Sequence, residues 1–251
     1  MATYDVAGRS AIVTGAGSGI GRAIALLLGA NGASVLAHDL SEETAEAVAA
    51  EIVAAGGVAQ AFAGDASDPD VAARAVAAAG ELAPLRIAVN NAGIGAPPAR
   101  LGDYPAEDWA RVIDVDLNGV FHGLRAQLPV IAGNGGGAVV NMASVLGAVG
   151  LAGNAAYVTA KHGLIGLTKN AALEYSGEGV RVTAVGPGFI DTPAVRSALD
   201  EEARAGLAAE HATGRLGTTE EVAHLVAFLA SDAATFVTGS FHLVDGGYAA
   251  H

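Results

Sequence analysis

The chain has 251 residues, 52% of hydrophobic type, no cysteine and a formal net charge of −13. That length suits one large α/β domain spanning residues 1–251, and the absence of cysteine excludes disulfides, thiolate metal sites and cysteine nucleophiles. The negative charge argues against nucleic-acid phosphates or an acidic carrier protein as partners. The N-terminus carries no apolar signal core and no uninterrupted apolar run long enough to span a bilayer occurs, so a cytoplasmic protein with no membrane partner is expected.

A short apolar strand from Ser10 to Val13 runs into the loop Thr14-Gly15-Ala16-Gly17-Ser18-Gly19-Ile20-Gly21, and a helical pattern follows from Arg22 to Ala30. Strand, glycine turn and helix N-terminus together make an anion site. Free N–H groups and the positive end of the helix dipole face a phosphate, and the glycines let backbone come close. The setting points to a dinucleotide. The next strand, Ser34 to Ala37, leads to His38-Asp39-Leu40. Asp39 lies eighteen residues beyond Gly21, near where an adenine-ribose ligand belongs. A carboxylate there accepts from a free 2′-hydroxyl and repels a 2′-phosphate, which favours NAD over NADP. An N-cap-like role at the following helix is the alternative for Asp39.

Helix Glu42–Ala55, strand Val58–Ala63 and helix Pro69–Ala79 continue the alternation, with Asp65 and Ala66 just past the third strand. Asp65 stands where ligands collect in open sheets and is placed to touch adenine. The fourth strand, Arg86 to Val89, ends in Asn90-Asn91-Ala92-Gly93, whose paired asparagines are expected to face the same crevice. This β-α alternation implies a parallel sheet with right-handed crossovers. A long helical stretch over 105–131 follows, with Val112, Val115, Val120, Leu124 and Leu128 on one face.

The run Ala138-Val139-Val140 then delivers Ser144, and a helix running to about Tyr175 carries Tyr157 and Lys161. Four residues apart, these two share a helix face. An ammonium beside a phenol favours phenolate and lowers the tyrosine pKa, making Tyr157 a candidate acid/base for a carbonyl/alcohol couple. Ser144 is placed to bond the same oxygen. Alone, Tyr-x-x-x-Lys is a weak pattern. The sixth strand, Arg181 to Val185, ends in Gly186-Pro187-Gly188-Phe189-Ile190-Asp191-Thr192-Pro193. Residues 194–214 read as a helical lid (part of a flexible region over about 190–214), with a plain surface helix as the alternative. A helix from Glu220 to Leu229 and a strand from Ser240 to Val244 close the pattern.

Taken together in this order, the Thr14–Gly21 loop, Asp65, Asn90-Asn91-Ala92-Gly93, Ser144, Tyr157-x-x-x-Lys161, Pro187-Gly188 through Thr192 and Val244-Asp245-Gly246-Gly247 resemble the short-chain dehydrogenase/reductase family over the whole chain. The closest likeness is to bacterial NAD-dependent, (R)-selective secondary-alcohol dehydrogenases and carbonyl reductases. The resemblance implies a Rossmann-type doubly wound sheet of about seven parallel strands, order 3-2-1-4-5-6-7, with helices on both faces. It assigns Tyr157 as acid/base, Lys161 to lower its pKa and bond the nicotinamide ribose, and Ser144 to polarise the carbonyl. Thr14, Asn91 and Asp39 would hold the glycine loop, the fourth strand and the ribose. Pro187 and Gly188 would flank the nicotinamide, with Ile190 and Thr192 touching its carboxamide. A homotetramer is also implied, and some relatives bind a structural divalent cation near a C-terminal residue such as His251, although the pattern here assigns no metal ligand set.

Two positions depart from the family. Asp116 stands where relatives carry the asparagine that holds a relay water, and Thr183 replaces an asparagine, an exchange expected to matter little. Asn118 lies too far around a helix to substitute for Asp116. Gly95, Val145, Leu146, Asn154, Phe189 and Val195 are the expected substrate lining. They suit an uncharged ketone or secondary alcohol, because no arginine or lysine is placed for a carboxylate. His122 and His162 read as packing or surface residues. The alternatives are a reductase of 3-oxoacyl thioesters and a non-catalytic dinucleotide-binding regulator.

Overall fold

The computed structural model describes residues 3–250. Seven parallel strands form one sheet in the order β3-β2-β1-β4-β5-β6-β7: β1 Ser10–Thr14, β2 Ser34–Asp39, β3 Val58–Ala63, β4 Leu85–Asn90, β5 Gly137–Met142, β6 Val180–Pro187 and β7 Phe241–Val244. This is the order expected from the sequence. Because strand side chains alternate, neighbouring residues of one strand feed opposite cores. On β1, Ala11 and Val13 face one cluster and Ile12 the other.

The first cluster lies under α1 (Gly19–Ala30), α2 (Glu42–Ala54) and α9 (Thr219–Ala230), through Ile24, Leu28, Ile52, Val226 and Leu229. The second lies under α3 (Pro69–Leu82), α5 (Gly119–Gly133) and α6 (Ala155–Tyr175), through Val76, Leu124, Ile131 and Leu164. The first glycines begin α1 earlier than the hydrophobic pattern does, since Gly19 and Ile20 already belong to the helix.

The stretch 105–131 is not one α-helix. It divides into α4 (Ala106–Ile113), a π-helical turn over Asp114–Asn118, and α5. Such turns insert one residue and re-aim side chains, commonly at functional sites. Here the turn points Asp116 inward to full burial, while Asn118 faces out and bonds Asp114 Oδ1. The expectation that Asn118 is no substitute for Asp116 holds, although on a different helical geometry.

Asn90 and Asn91 do not share the crevice. The strand alternation turns Asn90 into the core, where it bonds Gln127 and Asn141, and Asn141 in turn bonds Thr168. Thr183 is also buried, and its Oγ1 has no partner among the described residues. Between β6 and α9, the stretch 194–214 contains two short helices, α7 (Pro193–Ala198) and α8 (Glu201–Ala209), neither with a fully buried residue. His251 lies outside the described residues.

Candidate active site

Two depressions run along the C-terminal ends of the strands, where open α/β sheets bind ligands. The first, about 540 Å³, is lined by Ser18, Gly19, Ile20 and Gly21 of the glycine turn, Asp39 and Leu40 after β2, and Asp65 and Ala66 after β3. The second, about 440 Å³, holds Ser144, Tyr157 and Lys161, with Pro187, Gly188, Ile190 and Thr192 on the β6 side. Ile20, Asn91, Gly93 and Thr192 line both, so the two form one elongated groove.

The glycines are sterically required in the first part. A Cβ on Gly21 would stand 2.0 Å from the Gly15 carbonyl oxygen, and Gly15 itself has φ +65°. Ser18, the N-cap of α1, makes no side-chain cap bond, which leaves the first-turn N–H groups facing the groove. Thr14 and Gly17 stand behind the lining. The Thr14 hydroxyl accepts from the backbone N–H groups of Asn91 and Ala92 at 2.9 and 3.0 Å, and Asn91 Nδ2 donates to Thr14 O at 2.9 Å. These bonds tie the ends of β1 and β4 together.

Asp39 is not an N-cap: Ser41 caps α2. Its carboxylate accepts from Gly17 N at 2.8 Å, Ser41 N at 3.1 Å and Thr44 Oγ1 at 3.2 Å, so it braces the glycine loop while facing the groove. Asp65 accepts from the backbone and hydroxyl of Ser67, and those bonds hold its carboxyl below the usual range. His38, also lining the groove, is pushed down by burial and stays neutral, bonding Gly64 O through Nε2.

In the second part, α6 carries Tyr157 and Lys161 as the four-residue spacing requires, with Lys161 Nζ 5.2 Å from the Tyr157 ring centre. Lys161 is 3% exposed. Its Nζ donates to Met142 O at 3.1 Å and lies 3.1 Å from Asp116 Oδ2. Burial alone pulls the ammonium pKa down, but the opposing charges on Tyr157 and Asp116 outweigh it and hold the pKa above its ordinary value. Asp116 Oδ1 accepts from Ile94 N at 2.7 Å, so Asp116 stands behind Lys161 and does not line the cleft. Ser144 Oγ accepts from Leu146 N at 3.2 Å, which leaves its hydroxyl hydrogen for another acceptor. Phenol, hydroxyl and buried ammonium in one cleft are equipped to protonate a carbonyl oxygen or deprotonate an alcohol.

Gly95, Val145, Leu146, Asn154, Phe189 and Val195 all line this cleft. Sequence reasoning missed Ile94, Leu151 and Ala194 here and Arg111 and Val115 in the first part. Arg111 sits on α4, and only the packing of that helix beside the groove shows that it lines it. His162 is exposed, bonding Val158 O, and neither it nor His122 lines the groove.

A protein-family profile described as enoyl-(acyl carrier protein) reductase matches residues 15–249. The chain belongs to the short-chain dehydrogenase/reductase family. It is similar to this family's cyclohexanol dehydrogenase of Acinetobacter sp. (strain SE19), at 48% identity over 95% of this chain and 94% of that protein. The cis-4-hydroxycyclohexanecarboxylate dehydrogenase of Sinomonas cyclohexanicum is 46% identical over 96% of this chain and 97% of its own. A solved structure from Beutenbergia cavernae, with NADP bound at low occupancy, superposes with a TM-score of 0.93 at 38% identity over 100% of both chains. The family membership and the sheet order bear out the expectations from sequence, and the protein is an oxidoreductase acting on secondary alcohols or ketones.

Proposed function

We propose that the protein is an NAD(H)-dependent dehydrogenase of uncharged secondary alcohols and ketones, with ring alcohols as its substrate class. A mainly apolar cleft lined by both Ser144 and Tyr157, backed by the buried Lys161 ammonium, carries this reading. The two cyclohexanol-type relatives support a cyclic substrate. One domain would hold both cofactor and substrate, with α7 and α8 as a lid.

The groove residues fit a dinucleotide. The glycine turn and open N–H groups of α1 would hold the pyrophosphate, Asp39 the adenine ribose, and Lys161 the nicotinamide ribose. When bound, the nicotinamide supplies or takes up the hydride. In reduction, Tyr157 gives its phenolic proton to the carbonyl oxygen while the Ser144 hydroxyl donates to that oxygen. In oxidation, the phenolate takes the alcohol proton. The buried ammonium of Lys161 keeps a positive charge beside the phenol in both directions. Asp39 supports NAD, because its carboxylate accepts from a 2′-hydroxyl and repels a 2′-phosphate. A cytoplasmic homotetramer belongs to this reading, and exposed Trp109, Phe121, Leu173 and Phe236 supply apolar surface for the assembly.

A similar protein of Thermotoga maritima, a 3-oxoacyl-[acyl-carrier-protein] reductase 39% identical over 96% of this chain, keeps a 3-oxoacyl thioester reductase as a second reading. The net charge of −13 works against docking an acidic carrier protein. The test is oxidation of cyclohexanol with NAD⁺ and with NADP⁺, followed at 340 nm. Turnover with NAD⁺ that falls by about 10²–10⁴ in Tyr157→Phe supports the proposal. Activity confined to 3-oxoacyl thioesters with NADPH overturns it.

A further inference from the structure

We propose that His211 is a positioning residue for the substrate wall of the cleft, its neutral imidazole holding the Gly188–Phe189 backbone by accepting the Phe189 N–H. The inference rests on the dehydrogenase reading above for its kinetic consequence, and on geometry alone for the bond.

His211 follows α8 and is 4% exposed. Its Nδ1 lies 2.8 Å from Leu207 O, and a carbonyl only accepts, so Nδ1 carries the hydrogen. Nε2, left with its lone pair, accepts from Phe189 N at 3.2 Å. The two partners together assign one neutral tautomer. The imidazole also packs against two aromatic rings, with centres 6.0 Å from Phe189 and 5.3 Å from Tyr248. A Cβ on Gly188 would stand 2.9 Å from Nε2, so glycine at that position is what allows the approach.

Three segments meet at this ring. Gly188 N bonds Val244 O, Thr213 N bonds Gly246 O, and Gly217 N bonds Phe189 O, at 3.0–3.1 Å. The wall needs such a tie because there is space on both sides of it. Phe189 lines the 440 Å³ cleft in front, and behind it lies a second cavity of about 280 Å³ lined by His211, Thr213 and Arg215. Packing alone does not fix a partition between two cavities. Ser144 and Lys161 are held separately, by Leu146 N, Met142 O and Asp116. Loosening Phe189 therefore acts on substrate binding before it acts on proton transfer.

The experiment compares wild type, His211→Leu and His211→Gln, with cyclohexanone and NADH as probes. Leucine removes the acceptor, whereas the glutamine Oε1 reaches about where Nε2 sits. We expect KM for cyclohexanone to rise about tenfold in the leucine variant with kcat within about threefold, and glutamine to restore KM. Hydrogen–deuterium exchange of the peptide containing Phe189 reads the bond without turnover: protection lost with leucine and kept with glutamine. Unchanged exchange at Phe189 with leucine overturns the proposal. So does a parallel fall of kcat and kcat/KM that glutamine does not rescue. Should wild type turn over no ketone, the dehydrogenase reading fails while the exchange result still decides the role of His211.

Discussion

Lys161 Nζ lies 3.1 Å from Asp116 Oδ2, and their side chains are only 4% and 0% exposed. The contact is close but poorly aligned, since Oδ2 makes no hydrogen bond of good geometry, so the attraction is chiefly charge on charge. This carboxylate faces the ammonium directly. A buried pair is costly to break from one side, because the other charge is left uncompensated. We expect Asp116→Ala to lose about 3–5 kcal/mol of stability by urea unfolding. Asp116→Asn, whose amide oxygen still accepts from Ile94 N, should lose less.

The groups facing Lys161, Tyr157 first and Asp116 second, set an alkaline limit. Lys161 has a folded pKa above its unfolded value of 10.5. The stabilisation is therefore fully present below 10.5 and is lost as pH rises through the raised folded value. Unfolding followed against pH should show this loss in wild type and a weaker one in Asp116→Asn. A steeper alkaline loss in the variant would contradict the pairing.

Asp39 both braces Gly17 and faces the proposed ribose site. Replacing it with serine removes the charge that repels a 2′-phosphate. We expect the ratio of kcat/KM for NAD⁺ over NADP⁺ to fall at least about tenfold, equivalent to about 1.4 kcal/mol. KM for NAD⁺ should also rise, because the Gly17 N–H loses its carboxylate partner. Steady-state rates with both cofactors measure each effect, and an unchanged ratio would remove Asp39 from cofactor selection.

Most of the groove was legible because its residues sit in local patterns: glycines between strand and helix, Tyr157 and Lys161 one turn apart, Asp39 and Asp65 at strand ends. Sheet order was legible from the β-α alternation together with the family resemblance. What escaped depends on contacts between distant segments. Nothing in the local pattern of 105–131 marks the π turn, because the turn exists to carry Asp116 to Lys161 and Ile94, and those partners lie far away in sequence. Asn90 was misread for a related reason: side-chain alternation decides which of two adjacent asparagines faces the groove, and the strand extends one residue further than its apolar run. His211 has no periodic neighbours, and its meaning comes only from Phe189 and Tyr248.

Asn90 predicts a purely structural effect. It joins Gln127 and Asn141 in a buried network, so removing its amide leaves buried polar groups short of a protein partner. Asn90→Leu should cost about 1–3 kcal/mol for each partner left unsatisfied. The urea midpoint should fall accordingly. A neutral result would mean that water enters the small cavity beside Asn90 and replaces the lost bonds.

At the opposite end of the pH range, Glu221 governs the start of α9. The Arg215 guanidinium bonds both its oxygens, and Thr218 N donates to it as half of a capping box. These bonds, that from Arg215 foremost, hold its carboxyl down at about 2, against 4.5 unperturbed. A depressed carboxyl contributes stability that is present above 4.5 and lost as pH falls through about 2. Both side chains are substantially exposed, so the effect is small at high salt. Arg215→Ala should therefore lower the thermal midpoint near neutral pH and at low salt, and the gap from wild type should close between pH 4.5 and about 2. Thr218→Ala removes the other half of the box and should cost about 1 kcal/mol at every pH. A gap for Arg215→Ala that stays constant down to the lower pH would show that the arginine acts through packing and not through charge.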